Sequence, residues 1–255
     1  FGFYSNYWNL MFVDDNVPKF SYAASYGVSK IPAIQKKGTK RYLERLDMIS
    51  VREQKGKEIV DSLSAKKAEV VADPTMLLSN TQWKEFADKA TVDLPKEKYI
   101  FCYFLGTRQD IREEAEKIAE DTGLKIVTMR HMDEYVPIDE TFGDYAPYDV
   151  NPYDFVKLLM NAEYVCTDSF HGSVFSILMH RKFCTFYRTK PTAGNSTHSR
   201  IDSLLNTFGL IERKYNGNIL DIKKNIDYSS VDKKITEYRK ESLEFFKKAL
   251  ALAKK

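Results

Sequence analysis

Residues 164–187 read YVCTDSFHGSVFSILMHRKFCTFY: an apolar strand, a short polar turn, an apolar helix and a second apolar strand in succession. Residues 164–168 and 182–187 are short runs rich in aromatic and β-branched side chains, and 172–180 has the length and apolar character of a buried helix. The segment therefore predicts a strand–helix–strand unit. Its polar turn sits where the first strand ends, and in open α/β sheets ligands gather at that carboxyl edge.

The same alternation extends in both directions. Upstream, 99–106 (YIFCYFLG) predicts a buried strand, 111–122 a helix, 124–129 a strand and 152–161 a helix. Between them, 131–151 forms a loop rich in Asp, Pro, Tyr and Gly, too long for a simple connector and a candidate contact for an acceptor. Further upstream, 20–25 (FSYAAS), 48–51 (MISV) and 69–73 (EVVAD) predict strands, with helices over 33–46 and 53–65. The polar stretch 78–98 reads as the join, with a short helix over 83–90. Downstream, 199–208 predicts a helix, and 231–253 a long closing helix whose polar face carries both signs of charge, unlike a lipid-binding one. The expected fold is α/β, with a first domain over 1–94, a second over 95–230 and the closing helix over 231–255. The aromatic run FGFYSNYWNLMF (1–12) suits the middle of a domain, so the first domain is expected to be incomplete at its N-terminus.

Composition narrows the function classes. The chain has 255 residues, and its 39 Lys and Arg against 36 Asp and Glu are interspersed, so no basic stripe marks a nucleic-acid surface. An anionic ligand must be met locally. Cys102, Cys166 and Cys184 lie in separate apolar runs, which fits reduced thiols and forms no CxxC pair or zinc cluster, so no metal is expected. With no apolar span and no signal sequence at the front, the reading expects a cytoplasmic protein, at most working at the inner face of the membrane.

Three strand ends carry chemistry. Asp168-Ser169-Phe170-His171-Gly172-Ser173 joins a strand to a helix start, where backbone N–H groups, the Ser169 and Ser173 hydroxyls and the close approach allowed by Gly172 suit a phosphate or carboxylate. His171 adds an imidazole, a side chain able to give or take a proton. The plainer reading is a capped helix with a packed histidine. Ile49-Ser50-Val51-Arg52-Glu53 places Arg52 at a strand end, where a guanidinium can hold an oxyanion bidentately, against a plain reading of an Arg52–Glu53 surface pair. Asp73-Pro74-Thr75 closes the next strand, mostly as a turn, with Asp73 a minor candidate. The segment 192–200 (TAGNSTHSR) adds Asn195 and Arg200 in a loop able to fold over a ligand. His131 and His180 read as surface or capping residues.

Taken together, the FSYAAS strand, ISVRE, ADPTMLL, TDSFHGSVFSI and KFCTF resemble the polysaccharide pyruvyl transferase family over residues 19–210. The resemblance implies two Rossmann-like domains in a GT-B-like arrangement with phosphoenolpyruvate between them. It implies transfer of a pyruvyl group to a sugar of a polysaccharide or its precursor, forming a ketal. Arg52 and His171 match the family's arginine and histidine and are the implied catalytic residues. Ser169, Gly172, Ser173, Asn195, Arg200 and Asp73 are expected to bind substrate. Phosphoenolpyruvate is a co-substrate, so no cofactor is expected, and the acceptor is a free or lipid-linked saccharide; a homo-oligomer stays open. Many members carry Asp-Arg-Leu-His-Gly where this chain has Ser169 and Phe170, so a cation is missing for which Arg200 or Lys190 would compensate. A Gly-Ser-Asp-containing motif that usually precedes the aromatic run is also missing. Two other readings stay open: a glycosyltransferase using a nucleotide sugar, and a non-catalytic glycan-binding domain.

Overall fold

The computed structural model describes residues 9–131, 134–190 and 198–252. Its first sheet holds β1 (Phe20–Ala24), β2 (Met48–Val51) and β3 (Ala68–Val70) in that order, connected by α1 (Ala33–Glu44) and α2 (Gln54–Leu63). After α3 (Asn80–Ala87), a second sheet forms from β4 (Tyr99–Tyr103), β5 (Lys125–Met129), β6 (Tyr164–Thr167) and β7 (Lys182–Thr185), ordered β5-β4-β6-β7. Helices α4 (Gln109–Thr122), α5 (Pro152–Asn161) and α6 (Phe170–Leu178) connect these strands, and α7 (His198–Phe208), α8 (Leu220–Lys223) and α9 (Tyr228–Leu252) follow. Every strand pair is parallel. The protein is thus α/β, as its sequence predicts.

Local chemistry explains the boundaries. Gly123 takes the left-handed conformation at φ 67° and donates to the Ala119 carbonyl, ending α4. Asn151 caps α5 by accepting from Tyr153 and Asp154 N–H groups, and Pro152 starts the helix where a missing N–H costs nothing. Strand β3 is shorter than expected, ending at Val70, although the Val71 N–H still bonds the Val51 carbonyl at 2.9 Å. Cys102, Cys166 and Cys184 occupy one register row across β4, β6 and β7, free and buried in the core with Ile100, Phe104 and Ile118.

The chain divides into two compact units. The first contains the described residues to 77 together with 198–203 and 233–252; the second contains 78–190 and 204–232. The boundary falls before α3 rather than between 94 and 95, because α3 packs in the second unit: the Trp83 ring meets Phe175 at 4.8 Å, and Asn80 Nδ2 donates to the Leu178 carbonyl at 2.6 Å. Nor is the closing helix separate. Phe245 and Ala249 of α9 join Ala23 and Val71 in a core cluster of the first unit, and Ser242 Oγ accepts the Ala72 N–H at 2.8 Å.

The long segment before α5 is tied down by its acids and backbone. Asp139 forms a buried ion pair with Arg112 of α4. Asp144 accepts the Ile126 N–H at 2.8 Å, and Tyr145 bonds Ile126 and Thr128 of β5 through its backbone. His131, expected at the surface, has a side chain only 5% exposed, and its N–H donates to Asp139. His180 bonds Asp232 at 2.9 Å and stacks on Tyr228, the end-of-helix role its position predicts.

Candidate functional site

At the carboxyl end of β6, the chain buries every residue from Val165 to Met179 except one: His171 is exposed. Its ring lies edge-on to Phe170, with centroids 5.4 Å apart. The frame around it is internally bonded. Asp168 accepts the N–H groups of Leu105 and Gly106 at 2.7 and 2.9 Å, tying the turn after β4 to the turn after β6. Burial pushes the Asp168 carboxyl above its ordinary range, opposed by those two N–H groups and by Arg188.

Ser169 is the N-cap of α6, accepting the Gly172 N–H at 3.3 Å. The Ser173 N–H bonds the Ser169 carbonyl at 3.0 Å, and the buried Ser173 hydroxyl faces the Thr185 hydroxyl at 2.7 Å. The two amides that the sequence assigned to an anion are therefore already bonded within the helix start. Gly172 also has a reason other than ligand approach: a Cβ there would lie 2.3 Å from Thr167 Oγ1, so the glycine lets α6 pack onto β6.

The first unit gathers its own cluster. Arg52 Nη1 donates to Asp73 Oδ2 at 2.7 Å, while its approach to Glu53 is 4.0 Å, so Asp73 is a nearer partner than the sequence neighbour. Asp73 Oδ1 accepts the Thr75 N–H and hydroxyl at 3.0 and 2.7 Å, combining the expected turn with an arginine clamp. Arg200, from the start of α7, lies 3.9 Å from where a Gly27 Cβ would stand, and Ser203 accepts the Gln54 N–H at 3.3 Å. Arg52, Asp73 and Arg200 thus belong to one unit, and His171, Ser169, Gly172 and Ser173 to the other. Asn195 lies outside the described residues.

Sequence reading missed three participants. Glu53 is 1% exposed and accepts Ser25 Oγ and Tyr26 N–H at 3.0 and 2.9 Å, fixing the loop after β1. Its place beside Arg52 at a strand end was the available signal. Gly106 and Arg188 meet at Asp168 across large sequence separations, and no spacing announces that. A cavity of about 570 Å³ between β1 and α1 has mostly apolar walls, including Leu43, Ile49 and Val51, and reaches Ser25 and Tyr26. Among the described residues no group of three or more His, Cys, Asp or Glu side chains is arranged to hold a metal ion. No described helix is long and apolar enough to cross a membrane.

Comparison with known proteins adds a family. The sequence profile described as polysaccharide pyruvyl transferase matches residues 1–190. No curated protein matches. Among solved structures, UDP-GlcNAc 2-epimerase of Neisseria meningitidis bound to UDP-GlcNAc is similar at 11% identity and TM-score 0.48, over 89% of this chain and 70% of that one. UDP-GlcNAc 2-epimerase of Methanocaldococcus jannaschii in complex with UDP-GlcNAc and UDP is similar at 15% identity and TM-score 0.47, over 77% of this chain and 56% of that one. The wall teichoic acid polymerase TagF is similar at 14% identity and TM-score 0.44, over 93% and 66%. The chain therefore spans about half to two thirds of the length of several of the solved structures it matches.

Proposed function

The chain belongs to the polysaccharide pyruvyl transferase family, and we propose that it moves a pyruvyl group from phosphoenolpyruvate onto a saccharide, free or lipid-linked, as a cyclic ketal. The observation that carries this reading is the exposure of His171 alone within a buried motif. An imidazole presented at a strand's carboxyl end, on a turn held by its own hydrogen bonds, is what proton transfer to a small substrate needs.

In the reaction, a sugar hydroxyl adds to C2 of phosphoenolpyruvate while a proton is delivered to C3. A neighbouring hydroxyl then displaces inorganic phosphate from C2 and closes the ketal, releasing its own proton. His171 is the general acid or base for these transfers. Arg52, oriented by Asp73, takes an oxyanion of the donor, with Arg200 contributing positive charge on the same unit. No cofactor enters this scheme.

Calorimetric titration of the protein with phosphoenolpyruvate, with a UDP-sugar run alongside, tests the reading. Binding of phosphoenolpyruvate that Arg52→Ala weakens supports it. Binding of the UDP-sugar instead would assign the chain to nucleotide-sugar chemistry, and binding of neither would leave a glycan-binding module.

A further inference from the structure

We propose that Arg188 is an oxyanion-binding residue of the second unit, anchored by Asp168 and given its place by Gly106. Only the identity of the ligand rests on the pyruvyl-transfer reading; the site itself rests on the geometry.

Among the described residues near this sheet edge, three cations are committed to acceptors or rings. Arg112 donates to both Asp139 oxygens and to the Gly106 and Arg108 carbonyls. Arg108 donates to both Asp110 oxygens and, at 2.7 Å, to the Tyr187 carbonyl. Lys214 bonds the Tyr187 hydroxyl at 3.0 Å and sits 5.1 Å from the centre of that ring. Arg188 differs. Among the described residues its contact is a 3.9 Å approach of Nε to Asp168 Oδ2, and Nε is buried with no hydrogen-bond acceptor.

A guanidinium carries five N–H donors, and buried donors are nearly always satisfied in folded proteins. The Arg188 side chain is 29% exposed, so the group is sheltered without being sealed from solvent. Asp168 orients this group without consuming it, because its carboxylate already takes two backbone N–H groups at shorter range. Gly106 completes the arrangement. A Cβ at that position would lie 2.6 Å from Arg188 Cγ and 2.8 Å from Asp168 Oδ2, so only glycine lets the arginine stem lie against the turn.

The chemistry this recognises is a phosphate or carboxylate, for which a guanidinium edge gives two parallel donors. Arg188 thus brings to Asp168, through space, the positive charge that Ser169 does not bring through sequence.

The test is a set of titrations with phosphoenolpyruvate, inorganic phosphate and pyruvate, on wild type, Arg188→Gln and Arg188→Lys. Phosphoenolpyruvate affinity should fall about tenfold or more in Arg188→Gln and be partly restored in Arg188→Lys. A parallel loss for phosphate assigns the phosphoryl group to Arg188, and a parallel loss for pyruvate assigns the carboxylate. Should the Gln variant melt at a markedly lower temperature, the Lys variant, which keeps the charge but not the fork, gives the comparison instead. Wild-type affinity in both folded variants overturns the proposal. Phosphate binding that depends on Arg188, with no phosphoenolpyruvate binding by wild type, upholds this site and sinks the pyruvyl-transfer reading; no anion binding by wild type sinks both.

Discussion

Arg52 reaches across from the end of β2 to Asp73 beyond β3, donating through Nη1 to Oδ2 at 2.7 Å with side-chain exposures of 15% and 2%. Two neighbouring strand ends are thereby locked through their side chains. Truncating Asp73 to Ala removes the carboxylate that Arg52 Nη1 bonds and an acceptor of the Thr75 N–H and hydroxyl. We expect a loss of about 3 kcal/mol, the lower end for an opened buried pair, measured by urea unfolding. In the same variant the affinity for phosphoenolpyruvate should fall as it does in Arg52→Ala. Wild-type affinity in folded Asp73→Ala would remove the orienting role.

His171 should separate chemistry from folding. Since its side chain is exposed, His171→Gln is expected to shift stability by no more than about 0.5 kcal/mol. Turnover should fall by roughly 10²- to 10⁴-fold, the usual yield of one positioned acid or base. A steady-state assay of phosphate release beside a thermal melt decides it: retained turnover excludes the histidine from proton transfer.

Gly172→Ala should do the reverse. The added methyl would stand 2.3 Å from Thr167 Oγ1 and 3.0 Å from Thr167 Cβ and Cγ2. Overpacking of this kind costs about 1–3 kcal/mol. Combining it with Thr167→Ala, which deletes two of the three crowded atoms, should recover part of the loss in a double-mutant cycle. Equal unfolding midpoints for wild type and Gly172→Ala would show that the helix can move away.

Acid sensitivity is expected from Asp154. Burial works against its ionisation, but the N–H groups of Val92, Asn151 and Thr91 outweigh it and hold the carboxyl below its ordinary 3.8. A depressed carboxyl contributes stability that is fully present above the unfolded value and is lost as pH falls through the folded one. Stability should therefore decline below about pH 3.8, and Asp154→Asn should flatten that part of the profile. Urea midpoints measured from pH 5 to pH 2 that fall equally in both proteins would assign the decline to other groups.

The elements of this fold were largely legible because periodicity, caps and strand ends are local. MISV over 48–51 and the helix over 152–161 coincide with β2 and α5, where polar ends bound an apolar run. What escaped was non-local. Nothing near Leu78 in the sequence says that Trp83 will meet Phe175, so the sequence puts the division after 94 whereas the structure puts it after Leu77. Hydroxyl orientation was equally hidden: Ser173 has the composition of a ligand contact, yet its side chain turns inward to Thr185. Glycine meant something different from what its motif implied, since Gly172 serves helix-on-strand packing. Arg188 carried no sequence mark because its significance depends on Gly106 and Asp168, 82 and 20 residues away.

The backbone bonds that Tyr145 makes to β5 have a counterpart at the other side of the second sheet, where the Tyr215 N–H bonds the Thr185 carbonyl and Lys214 bridges to β7. Both outermost strands are therefore partly capped by a short parallel addition from their own chain. An uncapped strand is a template for a neighbouring molecule's backbone, and self-association through such templates is how parallel sheets are lost to precipitation. The segment before α5 thus covers part of an open strand: trimming it to a short linker should leave β5 open to other copies and raise light scattering above that of the intact chain at equal concentration.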